Sequence, residues 1–156
     1  MKTSGNKVLI TGGATGIGFA LAEALSKSDN TVIICGRRED KLKEAKQRLP
    51  SICIKVCDVS KESERKSLYG WVESNFDDLN MLVNNAGIQR PIDLRKGIDE
   101  ILKNDDDEIE INFRSQVYLS ARFIPFLSKK KDLYCPAISS SRSFVVISNP
   151  LSQARA

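Results

Sequence analysis

The sequence predicts an α/β fold, a doubly wound parallel β-sheet with helices on both faces. Short β-rich segments alternate with longer amphipathic segments through most of the 156 residues, which is typical of consecutive strand–helix–strand units. A glycine-rich turn, Thr11–Gly18, joins the first strand to the first helix. Polar residues follow the third and fourth strands, at the edge of a parallel sheet where ligands bind.

The individual elements follow from periodicity and from the residues that end each segment. The helix at 39–49 is amphipathic, and Pro50 prevents its continuation. The acidic run 104–108 suits the start of the last helix, because carboxylates cap backbone amides and oppose the helix dipole. A fifth strand near 135–140 gives a truncated sheet of about five strands in the order 3-2-1-4-5. The predicted elements are strands 7–11, 31–35, 52–57 and 79–83 and helices 16–28, 39–49, 61–75 and 105–127.

The glycine turn predicts a Rossmann-type site for the pyrophosphate of a dinucleotide. Gly12 permits a tight turn, Gly16 leaves room for the pyrophosphate, and Gly18 lets helix and strand pack closely. The N-terminus of the helix adds unpaired N–H groups and the positive end of its dipole. An ordinary tight turn is the alternative for a glycine pattern taken alone. Six residues of this turn are expected to contact the cofactor: Thr11, Gly12, Thr15, Gly16, Ile17 and Gly18.

The end of the second strand favours NADP over NAD. In NAD-binding units an acidic residue near this point accepts hydrogen bonds from the ribose hydroxyls. Gly36 stands at that point here, and Arg37 and Arg38 follow it. A guanidinium group binds a phosphate through paired hydrogen bonds, so these arginines suit the 2′-phosphate of NADP. The alternative is a solvated, basic start of the next helix.

Two further motifs complete the pattern. Asp58-Val59 follows the third apolar strand, and Asn84–Gly87 follows the fourth. Together with Thr11–Gly18, these motifs resemble the short-chain dehydrogenase/reductase family. The resemblance implies a Rossmann fold and hydride transfer between NADP(H) and a small carbonyl or alcohol substrate.

The resemblance also implies the contacts of the cofactor on this side of the site. Asn84 in such proteins usually braces neighbouring strands, so a structural role is at least as well supported as a ligand role. The residues implied at the adenine are Asp58 and Val59, and those beside the cofactor are Asn85, Ala86 and Gly87.

Two catalytic residues are implied in the same way. Asn112 matches an asparagine midway along the fourth long helix of the family, where it helps to hold a water of the proton relay. The family spacing from Asn112 reaches Ser140, which would bind the substrate oxygen. The segment 144–148 has the stronger β propensity but lies too far downstream, so Ser148 is the second candidate. Either serine is alternatively a turn hydroxyl, and Pro136 disfavours the strand before Ser140.

The tyrosine–lysine pair of the family, Tyr-x-x-x-Lys, is absent from the sequence. The fourth residue after each of Tyr69, Tyr118 and Tyr134 is not a lysine, and the chain contains no histidine. Gln153 stands near the expected tyrosine and cannot exchange a proton. Residues 1–128 are therefore expected to form an NAD(P)-binding domain, and 129–156 a divergent, truncated tail, in a family of roughly 250 residues.

The composition of the chain excludes few further classes of function. The net charge of +4 suits an anionic cofactor, and no basic patch interleaved with aromatic residues favours nucleic acid. No metal site is expected, because histidines and Cys-x-x-Cys motifs are missing. No leader or membrane span is visible, which predicts a cytoplasmic protein. The four cysteines are expected to act as small buried hydrophobes: Cys35, Cys53, Cys57 and Cys135.

Three functional hypotheses remain. The first is a protein descended from oxidoreductases that keeps the cofactor-binding half of the fold and has lost the Tyr-x-x-x-Lys pair needed for proton transfer. The second is a non-catalytic module that binds a nucleotide or a protein partner, and the third is a defective fragment. The expected partners are a nicotinamide dinucleotide, a small substrate and a second copy of the chain in a homo-oligomer, with neither nucleic acid nor membrane among them.

We predict that the purified chain has no hydride-transfer activity. Removing a general acid–base group alone lowers a rate by about 10²–10⁴. The measurement is NADPH oxidation against a broad panel of carbonyl compounds. A turnover number in the ordinary enzyme range, about 1–10³ per second, would contradict the prediction.

Overall fold

A computed structural model describes residues 3–89, 91, 93–98, 108–129, 134–136 and 146–148. The strands are β1 Lys7–Thr11, β2 Thr31–Gly36, β3 Cys53–Val56, β4 Met81–Val83, β5 Tyr134–Pro136 and β6 Val146–Ser148. The α-helices are α1 Gly16–Ser26, α2 Glu39–Arg48, α3 Glu62–Asn75 and α4 Ser115–Leu127. A short 3₁₀-helix covers Leu94–Lys96, and a π-helical segment, Glu110–Arg114, leads directly into α4.

The sheet has the predicted order through its fifth strand. Within the described residues its strands run β3-β2-β1-β4-β5-β6, and β1 pairs in parallel with both β2 and β4. β5 is also parallel to β4, through Met81 and Tyr134. The strand β6 lies outside the predicted five-stranded sheet, and it runs antiparallel to β5. Only residues 137–145 join these two strands, and a parallel crossover needs about a dozen residues or more.

The central strands are buried on both faces, and successive residues point to opposite sides. Leu9 of β1 belongs to one core, together with residues of α3 and α4 such as Leu68 and Phe123. Its neighbour Ile10 belongs to the other core, together with residues of α1 and α2 such as Phe19 and Leu42. Each fully buried side chain of this kind stabilises the fold by about 1.5–3 kcal/mol.

Three asparagines close the amino-terminal edge of the sheet. Asn6 donates both its backbone N–H and its side-chain amide to Asn30 Oδ1, each at 2.9 Å. Asn80 donates to Asn6 Oδ1 at 3.0 Å and accepts the N–H of Lys7 at 2.9 Å. The amides therefore join the segments that precede β1, β2 and β4, at the edge away from the glycine turn. No sequence motif predicted this network.

The last long helix buries one face and exposes another. The helix predicted over 105–127 is present from Glu108 onward, and the π-helical segment lies inside it. The acidic residues 104–107, which were expected to cap this helix, lie outside the described residues. Leu119 and Phe123 pack in the core. In contrast, 62% of Ile109, 65% of Phe113 and 48% of Val117 are exposed, one turn apart along the helix. No helix in the described part of the chain is long and apolar enough to cross a membrane.

We expect this apolar stripe to cause self-association, because contiguous exposed apolar surface is typical of association sites. Replacing Phe113 and Val117 together by lysine should shift the chain toward monomer in size-exclusion chromatography with light scattering. Ser63→Lys adds a charge at an exposed site of α3 and should leave the elution unchanged. A monomeric unmodified chain with a cooperative thermal transition above about 60 °C would contradict the prediction.

Candidate functional site

A cavity of about 340 Å³ opens at the carboxyl ends of the four parallel strands β1 to β4. This is the edge of an α/β sheet at which ligands bind, and the volume lies within the range of ligand pockets. The cavity is lined by Gly12, Ala14, Thr15, Ile17, Gly18, Gly36, Arg37, Arg38, Cys57, Asp58, Val59, Asn85, Ala86, Gly87, Ile88 and Ile111. Most of the predicted cofactor contacts therefore meet at one opening.

The glycine turn lies against the loop that follows β4 because two of its residues lack side chains. This loop, Asn84–Ile88, is called the β4 loop below. Gly12 has φ +65°, and a Cβ atom on it would lie 2.9 Å from Ala86 Cα. A Cβ atom on Gly18 would collide with the Gly12 carbonyl and lie 2.5 Å from Asn85 Nδ2. By contrast, no atom lies within 4 Å of the Cβ position of Gly16, which leaves that side of the turn open.

Thr11 joins the glycine turn to the β4 loop from below the cavity. Its hydroxyl donates to the carbonyl of Val83 at 3.4 Å and accepts the N–H groups of Asn85 and Ala86 at 3.0 and 2.9 Å. The residue is 1% exposed. The sequence predicted a cofactor contact for Thr11, whereas these bonds assign its side chain to holding two strands together.

Asn84 and Asn85 continue this bracing on the β4 side. Asn85 Nδ2 donates to the carbonyls of Thr11 and Gly12 at 2.9 and 3.2 Å. Asn84 Nδ2 donates to the hydroxyl of Ser120 on α4 at 2.9 Å. Asn84 thus holds α4 against the end of β4, and the bracing of neighbouring strands expected for it stays a prediction.

Asn112 holds the far end of the β4 loop. It lies in the π-helical segment, where its Oδ1 accepts the N–H of Ile88 at 2.8 Å and its Nδ2 donates to the Ile88 carbonyl at 2.7 Å. A Cβ atom on Gly87 would lie 3.2 Å from Asn112 Oδ1, so the loop approaches closely. The side chain of Asn112 thus positions the cavity wall, and its expected contact with a water of the proton relay stays a prediction.

The residues that follow β3, Cys57–Ser60, form the opposite wall and are called the β3 loop below. Asp58 Oδ1 accepts the backbone N–H and the hydroxyl of Ser60 at 3.0 and 2.7 Å. The backbone N–H of Asp58 donates to Glu64 Oε2 at 2.6 Å. Val59 is 6% exposed and contributes to the core as well as to the cavity. Asp58 and Val59 therefore both line the cavity, and their contact with adenine stays a prediction.

Two thiols lie beneath this wall. The prediction of buried cysteines is confirmed for Cys35 and Cys57, while Cys53 is half-buried and the side chain of Cys135 lies outside the described residues. The hydrogen bond with the Cys57 thiol, followed by burial, raises the pKa of Cys35 well above its ordinary value. Cys57 lines the cavity, and Cys35 packs behind it in the core.

Arg37 and Arg38 lie exposed at the rim of the cavity. Arg38 Nη2 donates to the hydroxyl of Thr15 at 3.5 Å, across the mouth between β2 and the start of α1. Thr15 precedes α1 without capping it through its side chain. A Cβ atom on Gly36 would meet no atom within 4 Å, so the place of the missing acidic residue is open space. Positive charge therefore surrounds this end of the cavity.

The structure separates the two serine candidates of the sequence. Ser140 lies outside the described residues. Ser148 pairs with Tyr134, which pairs with Met81 at the beginning of β4. Ser148 therefore lies at the amino-terminal edge of the sheet, away from the cavity, because β6 runs in the opposite direction.

Among the described residues, no group of three or more His, Cys, Asp or Glu side chains is placed to hold a metal ion.

Sequence reasoning missed two residues that shape this site. Gly13 lies so close to β2 that a Cβ atom on it would be 2.6 Å from Ile34 Cβ. The position of Gly13 within the glycine turn was the sequence signal that could have identified it. Arg65 is a charged residue on α3 with only 3% of its surface exposed. Its spacing from the buried Leu68 and Val72 was the available signal, since all three lie on one helical face.

Comparison with known proteins supports the same fold. A family model described as short chain dehydrogenase matches residues 6–147. The chain is 50% identical over 151 residues to the "Uncharacterized oxidoreductase DltE" of Bacillus subtilis (strain 168), covering 97% of this chain and 58% of that protein. It is 36% identical over 96 residues to the "Farnesol dehydrogenase" of Aedes aegypti, covering 58% of this chain and 39% of that protein. The chain thus spans little more than half the length of DltE.

Solved structures show the likeness in three dimensions. The 2-keto-3-deoxy-D-gluconate dehydrogenase of Streptococcus agalactiae superposes with a TM-score of 0.74 at 21% identity, over 89% of this chain and 53% of that one. The 3-ketoacyl-(acyl-carrier-protein) reductase of Brucella melitensis, complexed with NADH, superposes with a TM-score of 0.71 at 23% identity, over 82% of this chain and 52% of that one. These likenesses show the fold alone.

We predict that Thr11→Val lowers the free energy of unfolding by about 1–3 kcal/mol, because two N–H groups of the β4 loop lose their acceptor. Valine keeps the shape of the side chain, so packing is preserved. Urea denaturation is the measurement. Thr15→Val, at the exposed rim, is the matched control and should change the free energy by less than about 0.5 kcal/mol. Equal effects of the two substitutions would contradict the bracing role.

Proposed function

This chain belongs to the short-chain dehydrogenase family, and we propose that it forms the NADP-binding part of an oxidoreductase acting between NADP(H) and a carbonyl or alcohol substrate. One observation carries the proposal. The N-terminus of α1 and the two arginines after β2 line a single cavity. A helix N-terminus favours a pyrophosphate, and guanidinium groups favour a second phosphate nearby.

The residues present fit a dinucleotide on three counts. The open side of Gly16 leaves space beside the helix N-terminus. The β3 loop presents Asp58 and Val59 on the wall expected to meet adenine. The β4 loop presents small residues, Ala86 and Gly87, on the wall beside the rest of the cofactor. When bound, the cofactor would supply the nicotinamide ring as the hydride donor or acceptor.

The preference for NADP rests on charge at the rim. An acidic side chain at the end of β2 would bind the ribose hydroxyls of NAD and repel a 2′-phosphate. Gly36 provides neither interaction, and Arg37 and Arg38 stand exposed beside it. The NADH of the Brucella reductase supports the nicotinamide class of cofactor for this chain without deciding between its two members.

We propose that the chain as given is catalytically inactive. Asn112 and Ser140 are its candidate catalytic residues, but no lysine follows a tyrosine at the family spacing. Tyr69 does not replace the missing tyrosine, because it packs against Phe123 at 5.2 Å between ring centroids. Burial, and then its hydrogen bond to Glu73, raise its pKa, whereas a general acid–base tyrosine needs a lowered one.

The second candidate function is a non-catalytic module that binds a nucleotide in the cytoplasm. The intact cavity favours this reading over a defective fragment, since its walls are joined by Thr11 and Asn112. In this proposal, residues 1–128 bind the cofactor and 129–156 form a divergent tail.

We predict that the chain binds NADP more tightly than NAD in calorimetric titration. Arg37→Asp should weaken NADP binding by roughly 10- to 100-fold, the value of a charge-assisted hydrogen-bond pair, and leave NAD binding nearly unchanged. Lys43→Asp makes the same charge change on α2, outside the cavity lining, and is the matched control. Equal affinities for the two cofactors would overturn the NADP preference, and binding of neither would overturn the proposed function.

A further inference from the structure

Arg65 is a buried cation whose hydrogen bonds hold the β3 loop. Its Nη1 donates to the carbonyls of Val59 at 2.6 Å and Ser60 at 2.9 Å. Only 4% of its side chain is exposed. A guanidinium group taken out of water is tolerated when it is fully hydrogen-bonded, so these contacts define the shape of the loop around it.

Carboxylates from two different elements surround the same guanidinium. Glu62 of α3 accepts from Nε at 3.1 Å and lies 3.0 Å from Nη2. Glu110 of the π-helical segment lies 3.5 Å from Nη1. Desolvation acts to raise the pKa of Glu62, but the hydrogen bond from Arg65 and the charges of Arg122, Arg65 and Lys66 lower it below its ordinary value. Glu62 therefore remains ionised beside the buried cation.

An aromatic ring adds a further contact from the side of α4. The guanidinium carbon of Arg65 lies 4.9 Å from the centroid of the Tyr118 ring, which is within the distance of a cation–π interaction. Arg65 thus contacts the β3 loop through carbonyl oxygens and the last long helix through Glu110 and Tyr118. Two cations from other elements reach the same carboxylates: Arg122 of α4 pairs with Glu62, and Arg114 of the π-helical segment pairs with Glu110.

The two segments that Arg65 joins both line the cavity. The β3 loop contributes Val59. The π-helical segment contributes Ile111, and its Asn112 holds Ile88, which lines the cavity as well. Arg65 itself is outside the lining. Any effect it has on a ligand must pass through these walls.

We propose that Arg65 is a positioning residue that couples the β3 loop to the π-helical segment and thereby sets the affinity of the cavity for the adenosine half of the cofactor. The inference rests on the proposed NADP binding. Because Arg65 holds the carbonyls of Val59 and Ser60, it fixes the two peptide planes that follow Val59 in the β3 loop. Its ion pair with Glu110 and its contact with the Tyr118 ring hold the π-helical segment and α4 beside that loop.

The test uses three variants of the full chain. Arg65→Met keeps the apolar stem of the side chain and removes all of its donors. Arg65→Lys keeps a cation that can replace Nη1, which contacts the two carbonyls and Glu110, but lacks the Nε and Nη2 donors that contact Glu62. Lys66→Met is the matched control, because Lys66 is the next residue, pairs with the same Glu62 at 3.6 Å and is 62% exposed.

Two measurements are made on each variant. The first is hydrogen–deuterium exchange of the unliganded chain at residues 57–61 and 108–113. The second is calorimetric titration with NADP, with adenosine 2′,5′-bisphosphate for the adenosine half and with nicotinamide mononucleotide for the other half. The exchange measurement needs no ligand, so its result is independent of the proposed function.

The expected result is specific to each variant. Arg65→Met should speed exchange in both segments and weaken NADP and adenosine 2′,5′-bisphosphate by roughly 2- to 30-fold, with little effect on the mononucleotide. Arg65→Lys should restore slow exchange in both segments and much of the affinity for the bisphosphate, because a lysine ammonium can take the place of Nη1. Lys66→Met should match the unmodified chain in both measurements.

Other outcomes overturn the proposal. Faster exchange in only one segment would show that Arg65 does not couple the two walls. Faster exchange in both with unchanged affinity would reduce Arg65 to a structural role. If the unmodified chain binds none of the nucleotides, the affinity part fails together with the proposed function, while the exchange data still decide the coupling. If Arg65→Met does not fold, the failure of Arg65→Lys to restore binding and exchange at 57–61 overturns the proposal.

Discussion

The arrangement of the cavity depends on the close approach of the glycine turn to the β4 loop. β1 pairs with β2 on one side and with β4 on the other, so the connections after β1 and β4 leave the sheet at adjacent points. At that point a side chain on Gly12 or Gly18 would collide with the neighbouring backbone or amide. The hydroxyl of Thr11 then joins the two segments by hydrogen bonds. A sheet of the same strands without this approach would have no enclosed space at its carboxyl edge.

The walls of the cavity are held by side chains that lie behind them. Thr11 braces the floor, Asn112 holds the end of the β4 loop, and Arg65 holds the β3 loop. Each of these side chains bonds to backbone groups of a loop, which makes irregular backbone rigid without help from a strand ladder. The lining itself can then consist of small or apolar groups, and its only cations, among the described residues, are Arg37 and Arg38 at the rim.

The π-helical segment shows how such bracing and helix packing compete. Ile111 lines the cavity and Asn112 bonds to the β4 loop, while Leu119 and Phe123 further along face the core. A π-helical turn inserts extra backbone into a helix and changes the face that its residues present, and such turns are frequent at functional sites. The same helix leaves the stripe of Ile109, Phe113 and Val117 at the surface.

The order of the elements, the glycine turn and the basic rim could be read from residues alone, because periodicity and glycine positions report burial and local backbone shape. The bracing roles of Thr11, Asn112 and Arg65 could not be read from the sequence. Thr11 meets Asn85, and Arg65 meets Glu110, across long separations in the chain, and a sequence does not show which distant polar groups will pair. The direction of β6 was missed for a related reason. Its β propensity was evident, but strand direction depends on whether the connection is long enough to cross the sheet. The local sequence therefore determined the strands, helices and turns, and packing between distant segments determined the partners of their polar groups.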